Sequence, residues 1–140
     1  MILLDTDVVS EPLRLNADPK VVAWIDAQVL ETLYLSTISV TELLFGMAVL
    51  PDGKRKESLR TNLNERVLPL FESRILPFDR AAADTCATLR ARARARGQGV
   101  GLADSYIAAI AAVKGFTVAT RDRQPFEAAG VAVINPWEMA

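Results

Sequence analysis

Residues 97–123 read GQGVGLADSYIAAIAAVKGFTVATRDR. Glycines at 97, 99 and 101 oppose an extended helix there, and Leu102 to Val113, rich in Ala and Ile, predicts one just after. Gly115 supplies the stop, and Phe116 to Ala119 is a short apolar, β-branched run that predicts a strand. Two carboxylates mark this unit, Asp104 at the helix start and Asp122 just past the strand. Asp104 stands among Leu102, Ala103, Ile107 and Ala108, so it faces or borders buried surface. A carboxylate there is costly without compensation. Capping the helix is the simpler role for it.

The same alternation extends to both ends of the chain. Met1 to Leu4 is a continuous apolar run ending at Asp5-Thr6-Asp7, the pattern of a buried parallel strand whose carboxyl end is a ligand position. Pro19 opens a helix carrying Val21, Val22, Ile25 and Val29, and Leu33 to Ser36 is a second strand. Ser39-Val40-Thr41-Glu42 fits a capping box, with a helix from there to about Leu50. Pro51-Asp52-Gly53 breaks it, and residues 54–70 predict another amphipathic helix with Leu59, Leu63, Val67 and Leu70 inward. Ile75 to Phe78 is extended, and Asp79 caps an Ala-rich helix ending in Arg90, Arg92, Arg94 and Arg96. Phe126 to Ala129 makes one helical turn and Val131 to Ile134 the last strand. Strands alternating with helices, without repeat or linker, predict one domain over residues 1–140: a three-layer α/β/α sandwich around a central parallel sheet.

Composition narrows the chemistry. The 140 residues are 51% hydrophobic, with one cysteine and no histidine. One cysteine precludes an internal disulfide, and the lack of histidine removes Ser-His-Asp, Cys-His and paired-histidine chemistry and imidazole zinc sites. A hydrolase built from this chain must work through carboxylates, with a hard cation. No run approaches the ~20 apolar residues of a membrane span and no signal peptide precedes the first strand, so a cytoplasmic location is expected.

The net charge of −1 is unevenly spread. Residues 1–52 hold eight acids and two bases, residues 53–103 eleven bases and five acids. An acidic site beside a basic surface suits a metal-dependent enzyme acting on a polyanion, although solvated helix faces produce the same bias. Arg90 and Arg94 share one helix ridge and Arg92 and Arg96 its neighbour, a candidate contact for that polyanion. Their simpler role is to complement the helix dipole.

Asp5 and Asp122 follow strands, while Glu42 and Asp104 fall in first turns of helices. In a parallel sheet all four positions can converge on the carboxyl edge. Clustered carboxylates favour protonation until a divalent cation reverses the preference, and an oxygen-only donor set suits Mg²⁺ or Mn²⁺.

These stretches resemble the PIN-domain endoribonucleases of the VapC toxin type, most closely the FitB-like branch. The resemblance is carried by MILLDTDVVSEP at 1–12, VVAWID at 21–26, LSTISVTELLFG at 35–46, RILPFD at 74–79, ADSYIAAIA at 103–111, TVATRD at 117–122 and NPW at 135–137. It implies that Asp5, Glu42, Asp104 and Asp122 bind the metal, with Thr6 or Thr120 assisting through hydrogen bonds. It also implies Mg²⁺- or Mn²⁺-dependent RNA cleavage, a homodimer, and blockade by a cognate, often DNA-binding antitoxin. Two departures stand out. Asp7 occupies the usual place of an Asn, which suggests an outer role ordering water or Thr6. In the last motif Asp122 and Pro125 replace Asn and Asp. The alternatives are a HAD-type phosphatase, with Asp5 as nucleophile and Lys114 as its lysine, and a non-catalytic binding module whose acids only cap helices.

Overall fold

A computed structural model describes residues 1–139. Its strands are β1 (Ile2–Leu4), β2 (Leu33–Ser36), β3 (Ile75–Leu76), β4 (Thr117–Ala119) and β5 (Val133–Ile134). The helices are α1 (Thr6–Ser10), α2 (Pro19–Ala27), α3 (Thr37–Ala48), α4 (Lys54–Thr61), α5 (Arg80–Ala95), α6 (Leu102–Lys114) and α7 (Arg123–Ala128). The sheet order is β3-β2-β1-β4-β5 with every pairing parallel. Parallel strands need crossovers, and helices supply them on both faces.

Successive strand residues point to opposite faces, so each strand feeds two cores. Leu4, Leu33, Leu35 and Ala119 pack with Val8, Val21, Trp24, Leu43, Met47, Leu63 and Phe71 on one side. Leu3 and Val118 pack with Ala82, Ile107, Ala108, Ile110, Ala111 and Phe126 on the other. The alanines of α6 let it lie close against its neighbours; Ala108, Ala109 and Ala111 are all fully buried. Gly115 takes φ 70° and ends α6 in the left-handed conformation that a Cβ disfavours.

Several sequence expectations are corrected. The cap of α3 is Ser36, whose hydroxyl accepts from the Ser39 amide, so Ser39-to-Glu42 is no capping box. Ser39 is fully buried inside the first turn, and Glu42 falls in the second. Residues 54–70 do not form one α-helix. α4 stops at Thr61, a wider turn spans Asn62–Val67, and a tighter one spans Leu68–Arg74. Pro69 explains this, because it lacks an amide hydrogen and its ring opposes the carbonyl four residues earlier. Leu70 consequently points outward, and Val29, lying beyond the end of α2, is exposed as well. α3 ends at Ala48 rather than Leu50, α7 begins earlier than expected, and β5 keeps only two residues.

Candidate active site at the carboxyl edge

Strand register builds the site. Ile2, Leu3 and Leu4 pair with Thr117, Val118 and Ala119, so the next residues out, Asp5 and Thr120, come side by side. Ser36 ends β2, and Asn135 follows β5 in the same row. Ser36, Asp5, Thr120 and Asn135 are all buried polar groups. They lie where strand order reverses between β1 and β4, the switch point at which open α/β sheets leave a crevice.

Asp5 is 7% exposed. It caps α1 by accepting from the Thr6 amide at 2.8 Å, and its other oxygen accepts from Thr120 Oγ1 at 2.8 Å. Burial foremost, then the charge of Asp7, pushes its pKa from 3.8 to about 7, against the lowering effect of those two hydrogen bonds. Thr120 Oγ1 in turn accepts from the Asp122 amide at 3.2 Å. Thr6 Oγ1 donates to Glu42 Oε1 at 2.6 Å and lies 2.9 Å from Ser39 Oγ. Thr6 and Thr120 thus each hold one acid, while Asp7 Oδ2 accepts from the Arg121 amide at 3.1 Å.

Asp104 is the acid the others share. It is half-buried in the first turn of α6, whose N-cap is Gly101, so it is not the capping residue. Its pKa is raised by burial, then by Asp122 and Glu42. Asp104 in turn raises both Asp5 and Asp7, although burial dominates each. The structure therefore brings Asp5, Asp7, Glu42, Asp104 and Asp122 into one electrostatic neighbourhood. Among the described residues, no three acid, cysteine or histidine side chains form a ready cation cage. Uncompensated like charges have no reason to close on one point.

The donor set nevertheless fits a hard divalent cation. It is all oxygen, and two of its acids, Asp5 and Asp104, are shifted toward the neutral form, a preference that a cation reverses. The phosphatase alternative loses its lysine. α6 runs from Asp104 at the carboxyl edge to Lys114 just before the start of β4, which puts Lys114 at the opposite edge from Asp5.

The arginine ladder divides as its spacing indicates. Arg90 and Arg94 line one groove with Gly97–Val100, the loop leading into α6. Arg92 and Arg96 line another with Gln124 and Glu127. Arg96 also has a structural role, donating to the Ala128 carbonyl at 2.6 Å and to Gln98 Oε1 at 3.3 Å. Sequence reading missed Ser36, Ser39 and Asn135. Their available signal was position, since Ser36 and Asn135 stand at the carboxyl ends of strands.

A doubly wound parallel domain with five acids around its switch point defines a carboxylate-edged α/β/α class. The chain belongs to the PIN-domain family, whose description matches residues 2–131. It is 59% identical over 138 residues to the plasmid stability protein StbB of Pseudomonas syringae pv. tomato, covering 99% of each chain. It is 54% identical over 140 residues to the VapC ribonuclease Y4jK of Sinorhizobium fredii, covering 100% of each. Toxin FitB of Neisseria gonorrhoeae is 52% identical over 137 residues, 98% of this chain and 99% of that one. A structure of FitAB bound to an IR36 DNA fragment superposes with a TM-score of 0.97 at 49% identity, covering 100% of this chain and 98% of that one. The FitB-like resemblance is confirmed.

Proposed function

We propose that the chain is a Mg²⁺- or Mn²⁺-dependent endoribonuclease, the toxin of a toxin–antitoxin pair. The observation that carries this reading is the grouping of Asp5, Glu42, Asp104 and Asp122 around the switch point, in a chain akin to a VapC ribonuclease. These four acids would hold the cation, which supplies an activated water and neutralises charge developing on a phosphodiester. Thr120 orients Asp5 and Thr6 orients Glu42, which fixes two donors before the cation arrives. Asp7 acts outside that set by anchoring the backbone of Arg121. Arg90, Arg92, Arg94 and Arg96 line two further grooves, where their exposed guanidinium groups would meet RNA phosphates.

The partner reading rests on the relatives, one structure of which holds FitAB on DNA. A small DNA-binding antitoxin would occupy the acid crevice with a basic tail residue, an arginine pairing bidentately with two carboxylates and displacing the cation. Phe45 and Val49 expose an apolar strip on α3 that suits a partner, a second copy of the chain among them. No helix among the described residues is long and apolar enough to cross a membrane. The deciding experiment incubates purified protein with single-stranded RNA and maps new 5′ ends, with and without chelator. Cleavage that stops with chelator and returns with Mn²⁺ is expected. Equal cleavage by wild type and Asp5→Asn without metal would defeat the reading.

A further inference from the structure

Arg121 and Arg123 flank Asp122 at the end of β4, and the structure gives them different roles. Arg123 is committed, pairing with Glu127 at 2.9 Å and Glu138 at 3.5 Å. Arg121 stands in the field of Asp7, yet among the described residues its guanidinium joins no ion pair and donates no hydrogen bond. It lies over the Trp137 ring instead, with Cζ 5.0 Å from the ring centroid.

Its backbone is fixed from both sides. The Arg121 amide donates to Asp7 Oδ2 at 3.1 Å, and its carbonyl accepts from Asn135 Nδ2 at 3.3 Å. The Asn135 carboxamide also accepts from the Trp137 amide at 2.9 Å, so one side chain sets both the arginine and the ring beneath it. Stacking on the face of an indole leaves the edge of a guanidinium, with its N–H donors, unoccupied. Arg121 itself is exposed. The arrangement keeps a positive charge over the Trp137 ring and within the field of Asp7.

We infer that Arg121, shelved on Trp137, is a substrate-positioning residue that grips a phosphodiester of single-stranded RNA next to the bond being cut. This rests on the nuclease reading above. A phosphate is the group it fits, because a planar fork of donors matches two phosphate oxygens and cannot serve as a metal ligand. Asp7 then has a definite task, to hold in place the backbone that carries that fork.

The test measures affinity for a fluorescein-labelled random-sequence single-stranded RNA across a salt series, together with cleavage kinetics and calorimetric Mn²⁺ titration. Arg121→Gln should lower the slope of log affinity against log salt by about 0.7, the value for one phosphate contact on a single strand. It should raise KM roughly tenfold, a typical loss for one charge-assisted contact, and leave Mn²⁺ affinity unchanged. Arg121→Lys should recover the slope, because a point charge remains, while Arg123→Gln should leave it at the wild-type value. A purely structural Arg121 would change melting temperature and not salt slope. An Arg121→Gln slope equal to wild type, beside wild type that cleaves RNA, would overturn the inference alone. Wild type that neither binds nor cleaves RNA would overturn the nuclease reading and this inference with it.

Discussion

Thr120 Oγ1 donates to Asp5 Oδ2 at 2.8 Å, joining residues 115 positions apart where the order of the sheet reverses. The same hydroxyl accepts from the Asp122 amide, so one atom ties the Asp5 carboxylate to the backbone of Asp122. Thr120→Val keeps the shape and removes both interactions. It should lower cleavage about 10–100-fold, the range for partners that orient metal ligands. Thr120→Ser should restore most of it. Steady-state rates at several Mn²⁺ concentrations will decide, and a fully active Thr120→Val would reduce the hydroxyl to packing.

Asp5 gives a pH-dependent stability with a definite sign. Its folded pKa, about 7, lies above its ordinary value of 3.8, so burial stabilises the neutral form. That contribution is present below about pH 4 and is lost as pH rises through 7. Without metal, Asp5→Asn should match wild type near pH 4 and melt higher at pH 8. The difference is on the order of 4 kcal/mol from the shift alone, at about 1.36 kcal/mol per pH unit. The same variant should be inactive. Calorimetric scans of chelated protein test the sign, and parallel pH profiles would sink the argument.

Asp7→Asn tests the outer role. The carboxamide oxygen still accepts from the Arg121 amide, while the negative charge that raises Asp5 is gone. The variant should keep most of its cleavage, and the pKa of Asp5 should fall. An NMR titration of the labelled carboxyl reads that shift directly. If Asp7→Asn and Asp5→Asn are equally dead, Asp7 binds the cation itself.

The arginine ladder separates into binding and structural members. Replacing Arg90 and Arg94 with Gln should lower the salt slope of RNA affinity by about 1.4, two contacts at ~0.7 each, with little effect on melting. Arg96→Gln should also lower the melting temperature, because it breaks the bond to the Ala128 carbonyl. Filter binding and thermal melts on the same preparations distinguish the two outcomes. An unaltered slope in the double variant would leave the ladder to the helix dipole.

Particular residues show where the sequence was legible. β2 was found at its true bounds, and Pro19, Asp79 and Gly115 marked helix ends correctly, because caps and breakers act locally. Asp5 and Asp122 were legible as strand-end acids. The cap of α3 was misassigned by three residues because Ser36 and Ser39 are both good capping types. The choice fell to Ser36 once β2 ended there and buried Ser39 beside Thr6. The unwinding after Thr61 and the shelf under Arg121 depend on contacts between distant segments. Trp137 and Asn135 meet Arg121 only after β5 has paired with β4.

The position of β1 between β2 and β4 has a consequence for how the protein is made. A growing chain carries Asp5 and Glu42 early, but Asp5 lacks its Thr120 partner, and the crevice lacks a wall, until residues 117–122 have left the ribosome. At ~5–20 residues per second, roughly 6–25 seconds separate the synthesis of Asp5 from that of Thr120, during which the nascent chain has no assembled site. The fold therefore delays assembly of the crevice until two segments 115 residues apart in the sequence have met.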